Sequence, residues 1–430
     1  GHDHKNIYKL LKKAQSSQVP CLLNFKTTIG FGSPNKSAKA SSHGSPLGSE
    51  EVKLTRSKLS WNEKPFQIPD KLLKIWRNSS TNNLQIYKKT KSISHTNLSN
   101  KDIDKLFNKI EIDLKDFKSD QATRKSSEAI LHYFKKDHPI LGGSADLTGS
   151  NNTKGKEMSV MDSINTTGQY IHYGVREHGM AAIMNGIAAT KIYKTYSGTF
   201  LSFADYMKPS LRLAALMKIN PIQVFTHDSI GLGEDGPTHQ PIEQINMLRL
   251  IPNSYVFRPC DLKETIVCWR EALKINDAPS FICLSRQNLP QISNKKLDSK
   301  KFKGAYVIYG PKINNDITII ATGSEVSLAV NVAVRIRGDG IIAKVISMPS
   351  TSVFEKQSKT FKNNLLKSKS DEIFVIEAGS TMYWNKYTKY ENIFGLDNFG
   401  ASAPGNEVFR KFGLTTETVS NKIIRKIETK

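Results

Sequence analysis

The stretch Thr226–Pro241, THDSIGLGEDGPTHQP, places two histidines, three acids and three glycines in sixteen residues, directly after the apolar run Ile222–Phe225. His227 and His239 are side chains that exchange protons near neutral pH. Asp235 can accept hydrogen bonds from sugar hydroxyls. Gly231, Gly233 and Gly236 let the backbone turn tightly and approach a ligand, and Pro237 stiffens the exit. His227, Asp228, Asp235 and His239 could also be read as metal ligands, but their spacing fits no recognised ligand pattern.

Two further constellations carry chemistry. In YGVREHGMAAIMNGIA (173–188), Glu177 opens a run of small residues that reads as a tightly packed helix. The carboxylate either favours the helix dipole or is a buried carboxyl that shares a proton with a ligand nitrogen. In YSGTFLSFADYM (196–207), Phe200, Phe203 and Tyr206 recur every three residues. That spacing lines one side of a helical turn, as core or as an aromatic wall for a flat heterocycle.

These residues need elements to position them. From about residue 121, short β-branched runs (222–225, 254–257, 281–284) alternate with helical stretches (204–217, 262–273), the pattern of a parallel α/β sheet. A second series follows at 317–320, 343–346 and 373–376, and the Lys-, Asn- and Ser-rich stretch 288–304 reads as the boundary. In such sheets ligands bind beyond the carboxyl ends of the strands. His227 and Asp228, Arg258 and Asp261, and Ser285, Arg286 and Gln287 each follow a strand and so share one edge; for any one of them, capping a turn is the simpler role. Residues 7–14 read as an amphipathic helix and 21–25 as a short strand. Residues 61–120 read as a linker with some helix, such as 102–109.

Composition bounds the partners. The chain has 430 residues, enough for two or three domains, and a net charge of +23 from 62 basic and 39 acidic residues. Such a balance favours anionic partners, although a Lys- and Asn-rich surface can carry it without function. Lysine pairs (88–89, 135–136, 295–296, 300–301) are scattered without interleaved aromatics, which speaks against a nucleic-acid groove. Cys21, Cys260, Cys268 and Cys283 have neither zinc nor disulfide-framework spacing. They fit a reducing, cytoplasmic compartment and small buried apolar roles. No apolar run reaches membrane-spanning length, and no secretory signal peptide is seen. The first residue is Gly1, within what reads as a structured segment, and a longer parent chain is expected.

The motifs GGSADL (142–147), YGVREHGM (173–180), the 225–241 loop, LSRQNLP (284–290), ATGSEV (321–326), VIEAGS (375–380) and FGASAPGN (399–406) together resemble transketolase, over residues 1 to about 415. The resemblance implies an α/β chain: a thiamine-diphosphate-binding fold with a parallel-sheet pyrimidine domain (121–300), plus a transketolase C-terminal α/β domain (305–430). Residues 1–73 would be the C-terminal tail of the diphosphate-binding domain and 74–120 a linker. The implied enzyme is a cytoplasmic homodimer of the pentose phosphate pathway. It moves a two-carbon ketol unit from xylulose 5-phosphate to ribose 5-phosphate or erythrose 4-phosphate, with the cofactor between subunits. By the same resemblance Glu177 would bond the aminopyrimidine ring, Phe200, Phe203 and Tyr206 would surround it, and Asp146 would lie near the thiazolium. His227 and His239 would contact the substrate near its reacting carbons. Asp235 would read a hydroxyl, and Arg124, Ser150 and Arg286 would hold the phosphate. His43 would join the substrate channel. The family's diphosphate and metal motif has no counterpart here, so magnesium or calcium would find no family ligand in this chain. A sister enzyme, dihydroxyacetone synthase, and a catalytically silent fragment or subunit that borrows the diphosphate domain from a partner chain are the alternatives.

Overall fold

The computed structural model describes residues 1–91, 98–117, 119–293, 297–366 and 372–429. They divide into two units, residues 1–94 and 95–430. Lys295 and Lys296, part of the expected boundary and of the scattered lysine pairs, lie outside the described residues.

In the first unit the helix expected at 7–14 runs from His4 to Gln15, capped by the Asp3 carboxylate. Helices Ser49–Lys58 and Asp70–Lys91 follow. The strand expected at 21–25 does not form: the segment is irregular, with Leu22 exposed to 94%. A strand needs a neighbour to satisfy its backbone groups, and no strand is described anywhere in this unit. Cys21 is exposed, against the expectation of a buried role, whereas Cys260, Cys268 and Cys283 are buried. The loop at 30–36 is pinned by Glu51, which accepts hydrogen bonds from the Ser33 hydroxyl and from Asn35 N and Nδ2 at 2.8 and 2.9 Å.

The second unit holds two sheets. The first contains β1 (Ile140–Ser144), β2 (Tyr170–His172), β3 (Lys194–Phe200), β4 (Ile222–Thr226), β5 (Tyr255–Phe257) and β6 (Ser280–Leu284), in the order β2-β1-β3-β4-β6-β5. Every neighbouring pair is parallel, so all the carboxyl ends meet at one edge. The runs at 222–225, 254–257 and 281–284 are three of these strands; β1 and β3 were not legible. Their glycines obscure a β pattern and are there for packing. A side chain at Gly142 would lie 2.0 Å from the Tyr196 ring, and one at Gly143 would lie 2.3 Å from Tyr173.

Both faces of this sheet are covered, as a parallel sheet requires. Along β4, Ile222 and Val224 join a core with Phe107, Ile130 and Trp269. Phe225 joins the opposite core with Met180, Met184 and Leu211. The stretch expected to be linker carries a core helix, Asn100–Asp113. A capping box of Ser99 and Asp102 starts it, and Ile103, Phe107 and Ile110 are buried on one stripe. Lysine and asparagine on its outer face dilute that stripe in the sequence.

The second sheet comprises β7 (Tyr306–Tyr309), β8 (Ile317–Ala321), β9 (Ala343–Ser347), β10 (Ile373–Ile376) and β11 (Ile393–Phe394), in the order β11-β10-β8-β9-β7. It is parallel except for β7, which runs antiparallel to β9. Helices Glu325–Ile336 and Thr416–Glu428 cover one face through Val326, Ala329, Val419 and Ile423. Among the described residues no helix is long and apolar enough to cross a membrane.

Candidate functional site

The carboxyl ends of the first sheet deliver the site. β4 ends at Thr226, and His227 follows with φ of +62°. This left-handed backbone is uncommon for a residue with a Cβ. It turns the imidazole against Phe200, the last residue of β3, with ring centroids 3.7 Å apart and planes 29° apart. His227 Nδ1 and Thr226 Oγ1 lie 2.9 Å apart, and that hydroxyl donates to Asn151 Oδ1 at 2.6 Å. The imidazole is buried, with the residue 2% exposed. Burial, then repulsion from Arg124, Arg286 and His239, pushes its pKa down to about 3. It is therefore a neutral group at physiological pH, able both to accept and to donate one hydrogen bond.

His239 closes the other side. Its ring lies 5.4 Å from Phe203 and 6.1 Å from Phe200, edge-on to both. The spacing of Phe200, Phe203 and Tyr206 suggested one helical turn, and the structure corrects this. Phe200 ends a strand, Phe203 closes a 3₁₀ turn, and Tyr206 lies in the helix Ala204–Met217. Phe200 and Phe203 still stack at 5.7 Å, and Phe203 meets Tyr206 at 5.9 Å. The wall is graded: Phe200 is buried, Phe203 partly so, and Tyr206 open. Glu177 is the first residue of the helix Glu177–Ala189 and is itself buried. That helix packs on Ala204–Met217 through Met180, Met184, Met207 and Leu211.

Arg124 sits in the helix Thr123–Leu131, and its guanidinium donates to the carbonyl of Ser150, whose hydroxyl takes no part in that bond. Arg124 Nε is buried with no partner. Burial and then the like charge of Arg286 lower its pKa, partly offset by Glu128 and Asp235. Arg124, Arg286, Asp235, His227 and His239 thus act on one another electrostatically. Asp235 and Arg286 are exposed. Asp146 follows β1 in an exposed turn with φ of +60°. His43 follows the 3₁₀ turn Ala40–Ser42 in the first unit.

The loop glycines turn the backbone tightly, as the sequence suggested, and they also let it pack closely on neighbouring segments. Gly233 and Gly236 do take positive φ, +92° and +82°. What they approach, however, is protein. A side chain at Gly231 would lie 2.3 Å from the Gln287 amide, and those at Gly233 and Gly236 would touch Ala403 and Ser402. Gln240 Nε2 donates to Gly233 O at 3.0 Å and to Ala401 O at 2.9 Å, while Ser402 Oγ donates to Glu234 O at 2.8 Å. The segment 399–406 is thus a brace for the loop, a role that the sequence motif did not disclose. A pocket of about 330 Å³ opens here between Gly233, Glu234, Arg286, Gln287, Asn406 and Phe409.

Other strand-end residues are structural. Ser285 Oγ accepts from Thr123 N at 3.0 Å. Asp261 caps the helix Leu262–Lys274 and accepts from Ile292 N and Ser293 N. Asp228 is engaged by Arg258 at 2.8 Å, which removes it from a metal set with His227. Among the described residues no group of three or more His, Cys, Asp or Glu could hold a metal ion.

Comparison with known proteins adds to this geometry. Residues 1–107 match the family model "Transketolase, thiamine diphosphate binding domain". Residues 119–291 match "Transketolase, pyrimidine binding domain", and 304–415 match "Transketolase-like TK C-terminal domain". The chain is 40% identical over 443 residues to "Transketolase 2" of Aliivibrio fischeri, covering 98% of this chain and 66% of that protein. It is 41% identical over 447 residues to "Transketolase" of Buchnera aphidicola subsp. Schizaphis graminum, with the same coverage of 98% and 66%. Among solved structures, a Pichia stipitis transketolase in complex with sedoheptulose-7-phosphate superposes with TM-score 0.86 at 36% identity, over 100% of this chain and 66% of that one. The Leishmania mexicana transketolase gives 0.88 at 33% identity, over 100% and 65%. The chain thus spans 66% of the length of the first relatives it matches.

Proposed function

The chain belongs to the transketolase family, and on that premise we propose that its site transfers a two-carbon ketol unit from a ketose phosphate to an aldose phosphate. Xylulose 5-phosphate is the proposed donor, and ribose 5-phosphate or erythrose 4-phosphate the acceptor, as in the pentose phosphate pathway. The observation that carries the reading is the cluster at the carboxyl edge of β3 and β4. There a buried neutral His227 and a second histidine flank stacked aromatics, within the field of Arg124 and Arg286.

The residues present fit the pyrimidine half of thiamine diphosphate. A buried carboxyl group, Glu177, stands at the start of a helix that packs on Ala204–Met217, and Phe200 and Phe203, stacked at 5.7 Å just before that second helix, offer a flat wall. Glu177 would hold the aminopyrimidine and keep a proton at its ring nitrogen, and Asp146 would lie toward the thiazolium. When bound, the cofactor supplies the electron sink for carbon–carbon cleavage. Residues 1–73 are read as part of the diphosphate-binding domain, with magnesium or calcium expected alongside the diphosphate.

His227 and His239 would hydrogen-bond the sugar oxygens nearest the reacting carbons and move protons there. A neutral His227 suits this, because it can accept from a hydroxyl without first losing a proton. Asp235 would read a further hydroxyl. Arg124 and Arg286 would fork onto the phosphate, with Ser150 beside them; for His43 a substrate-contacting role is proposed on the family resemblance alone. Water exclusion falls to the braced loop 230–240.

A homodimer is proposed on the outer face of helices Glu177–Ala189 and Ala204–Met217, where Ile183, Leu213, Leu216 and Met217 are exposed. The cytoplasm is the proposed compartment. The retained site residues speak against a catalytically silent fragment.

The test is ketol transfer from xylulose 5-phosphate to ribose 5-phosphate by the full-length protein. Glu177→Gln should lower kcat by about 10²-fold or more, the range of a lost acid–base group, with the far-ultraviolet circular dichroism unchanged. Full activity of this variant would overturn the assignment. Preference for formaldehyde over ribose 5-phosphate as acceptor would favour dihydroxyacetone synthase.

A further inference from the structure

Asp228 follows His227 in the chain, but its side chain leaves the site and enters the seam between the two sheets. Its Oδ2 accepts from Arg258 Nε at 2.8 Å, and both side chains are 1% exposed. Arg258 follows β5 and reaches across to the second sheet. One terminal nitrogen, NH1, donates to Glu325 Oε2 at 2.5 Å and to Thr322 Oγ1 at 2.9 Å; the other, NH2, donates to Ser324 Oγ at 3.3 Å. Its backbone is tied as well: Arg258 N donates to Pro349 O at 2.7 Å, and Gly323 N donates to Arg258 O at 3.0 Å. Glu325 opens the helix Glu325–Ile336 and accepts from Ala378 N at 3.0 Å. A continuous chain of charged contacts therefore runs from the second sheet to the residue beside His227.

Stability alone is a weak reason for such an arrangement. Buried ion networks can often be replaced by apolar groups at little or no cost in stability. What this network fixes is a backbone that resists its own conformation. A left-handed φ is unfavourable at a residue with a Cβ and persists only where the surroundings impose it. The imidazole is held on one side by Phe200 and on another by Thr226, both of the first sheet. Asp228 is a further anchor: it is held by Arg258 at the end of β5, and Arg258 is itself held by Thr322, Ser324 and Glu325 from beyond that sheet.

We propose that Arg258 and Glu325 are positioning residues for His227: they fix Asp228, and through it the turn that seats the imidazole against Phe200, so that the domain built on the second sheet sets the geometry of a site built on the first. This rests on the reading of His227 as a substrate-contacting group in ketol transfer. It assigns the family's C-terminal domain, in this chain, a positioning part in the site, exerted through Arg258 and Asp228.

The test uses the full-length enzyme and the variants Glu325→Gln, His227→Asn and their double. Glu325→Gln keeps the side chain's size and removes its charge. Per folded, cofactor-loaded site, it is expected to lower kcat about tenfold with a smaller change in donor KM. In the His227→Asn background the same change should alter kcat less than about twofold, because its effect passes through the missing imidazole. Equal losses in both backgrounds, or an unchanged kcat in the single variant, overturn the proposal. A second readout does not need activity: the His227 imidazole is followed by nuclear magnetic resonance as pH is lowered. In the parent protein it stays neutral at pH 5, whereas in Glu325→Gln the loosened turn admits water and its titration moves upward. An identical titration overturns the proposal. If the parent enzyme shows no ketol transfer, the functional reading fails by itself, and the titration still decides the network. If Glu325→Gln does not fold, Arg258→Lys is used, since a single ammonium cannot fork between Asp228 and Glu325, and the same outcomes decide.

Discussion

Lowering the pH from 8 to 5 should destabilise this protein through His227, by an amount the structure allows to be worked out. In the unfolded chain the imidazole titrates at its ordinary value of 6.5, whereas in the folded protein burial, and then repulsion from Arg124, Arg286 and His239, hold it at about 3. At pH 5 the unfolded state takes up a proton that the folded state refuses, so the equilibrium shifts toward unfolding. The stabilising term is fully present above pH 6.5, and it fades as pH falls toward 3. Between pH 8 and pH 5 the loss is 1.5 pH units at 1.36 kcal/mol each, or about 2 kcal/mol. Other groups titrate in the same window, and a difference of differences removes them. Asparagine tolerates a left-handed backbone and does not titrate, so His227→Asn is the reference. Urea unfolding of both proteins at pH 8 and pH 5, without substrate, gives four free energies. The parent should lose about 2 kcal/mol more than the variant over that interval. An excess below about 0.5 kcal/mol, or one of opposite sign, would refute the claim that His227 is held neutral by its surroundings.

The other predictions concern the same cluster and the seam behind it. Inorganic phosphate bound between Arg124 and Arg286 should cancel part of the repulsion on His227 and move its titration upward. The shift should vanish in Arg286→Ala; a titration that ignores phosphate would separate the two arginines from the proposed phosphate site. Arg249 is paired with Glu377 through two bonds of 2.6 and 2.7 Å in a fully buried setting. Arg249→Met should therefore cost about 3–5 kcal/mol at pH 7 by urea unfolding. Burial would raise the Glu377 pKa, but Arg249 and then Arg258 hold it near 2, below its ordinary 4.5. The pair's contribution is accordingly present above pH 4.5 and fades as pH falls toward 2. Gly400→Ala would drive a methyl to within 1.7 Å of Gln240 Oε1. Displacing Gln240 frees the loop it holds, so a raised KM for sugar phosphates is expected, with a loss of about 1–3 kcal/mol in stability; an unchanged KM would show that the brace does not shape the site.

The fold was legible where hydrophobic periodicity was clean. The runs 222–225, 281–284, 317–320 and 373–376 are buried strands with few polar interruptions, and each is found within a residue of its expected place. β1 and β3 were hidden because close packing replaced β-branched residues with glycine at Gly142, Gly143 and Gly198. The short strand expected at 21–25 fails for the opposite reason: it is apolar enough to read as a strand, but no partner strand is described beside it. The helix Asn100–Asp113 was only partly visible, because its buried stripe of Ile103, Phe107 and Ile110 is interleaved with lysines that never leave the solvent.

The site was legible as chemistry but not as geometry, and the physical reason is the topology. A parallel sheet brings the ends of β1, β3, β4 and β6 together, so residues from position 124 to position 286 act on one field around His227. Sequence spacing can show that each follows a strand; it cannot show which of them point into the pocket and which into the seam. His227 and Asp228 are adjacent, yet one stacks on Phe200 while the other joins Arg258. Arg258 and Arg286 both follow strands, yet one is buried among carboxylates and the other exposed at the pocket. What separates them is whether an acid from the second sheet lies within reach. Arg258 finds Glu325 and Glu377, and its charge is consumed by the fold. Arg124 and Arg286 repel one another, Glu128 and Asp235 offset this only in part, and the remaining positive field is what an anionic ligand can use.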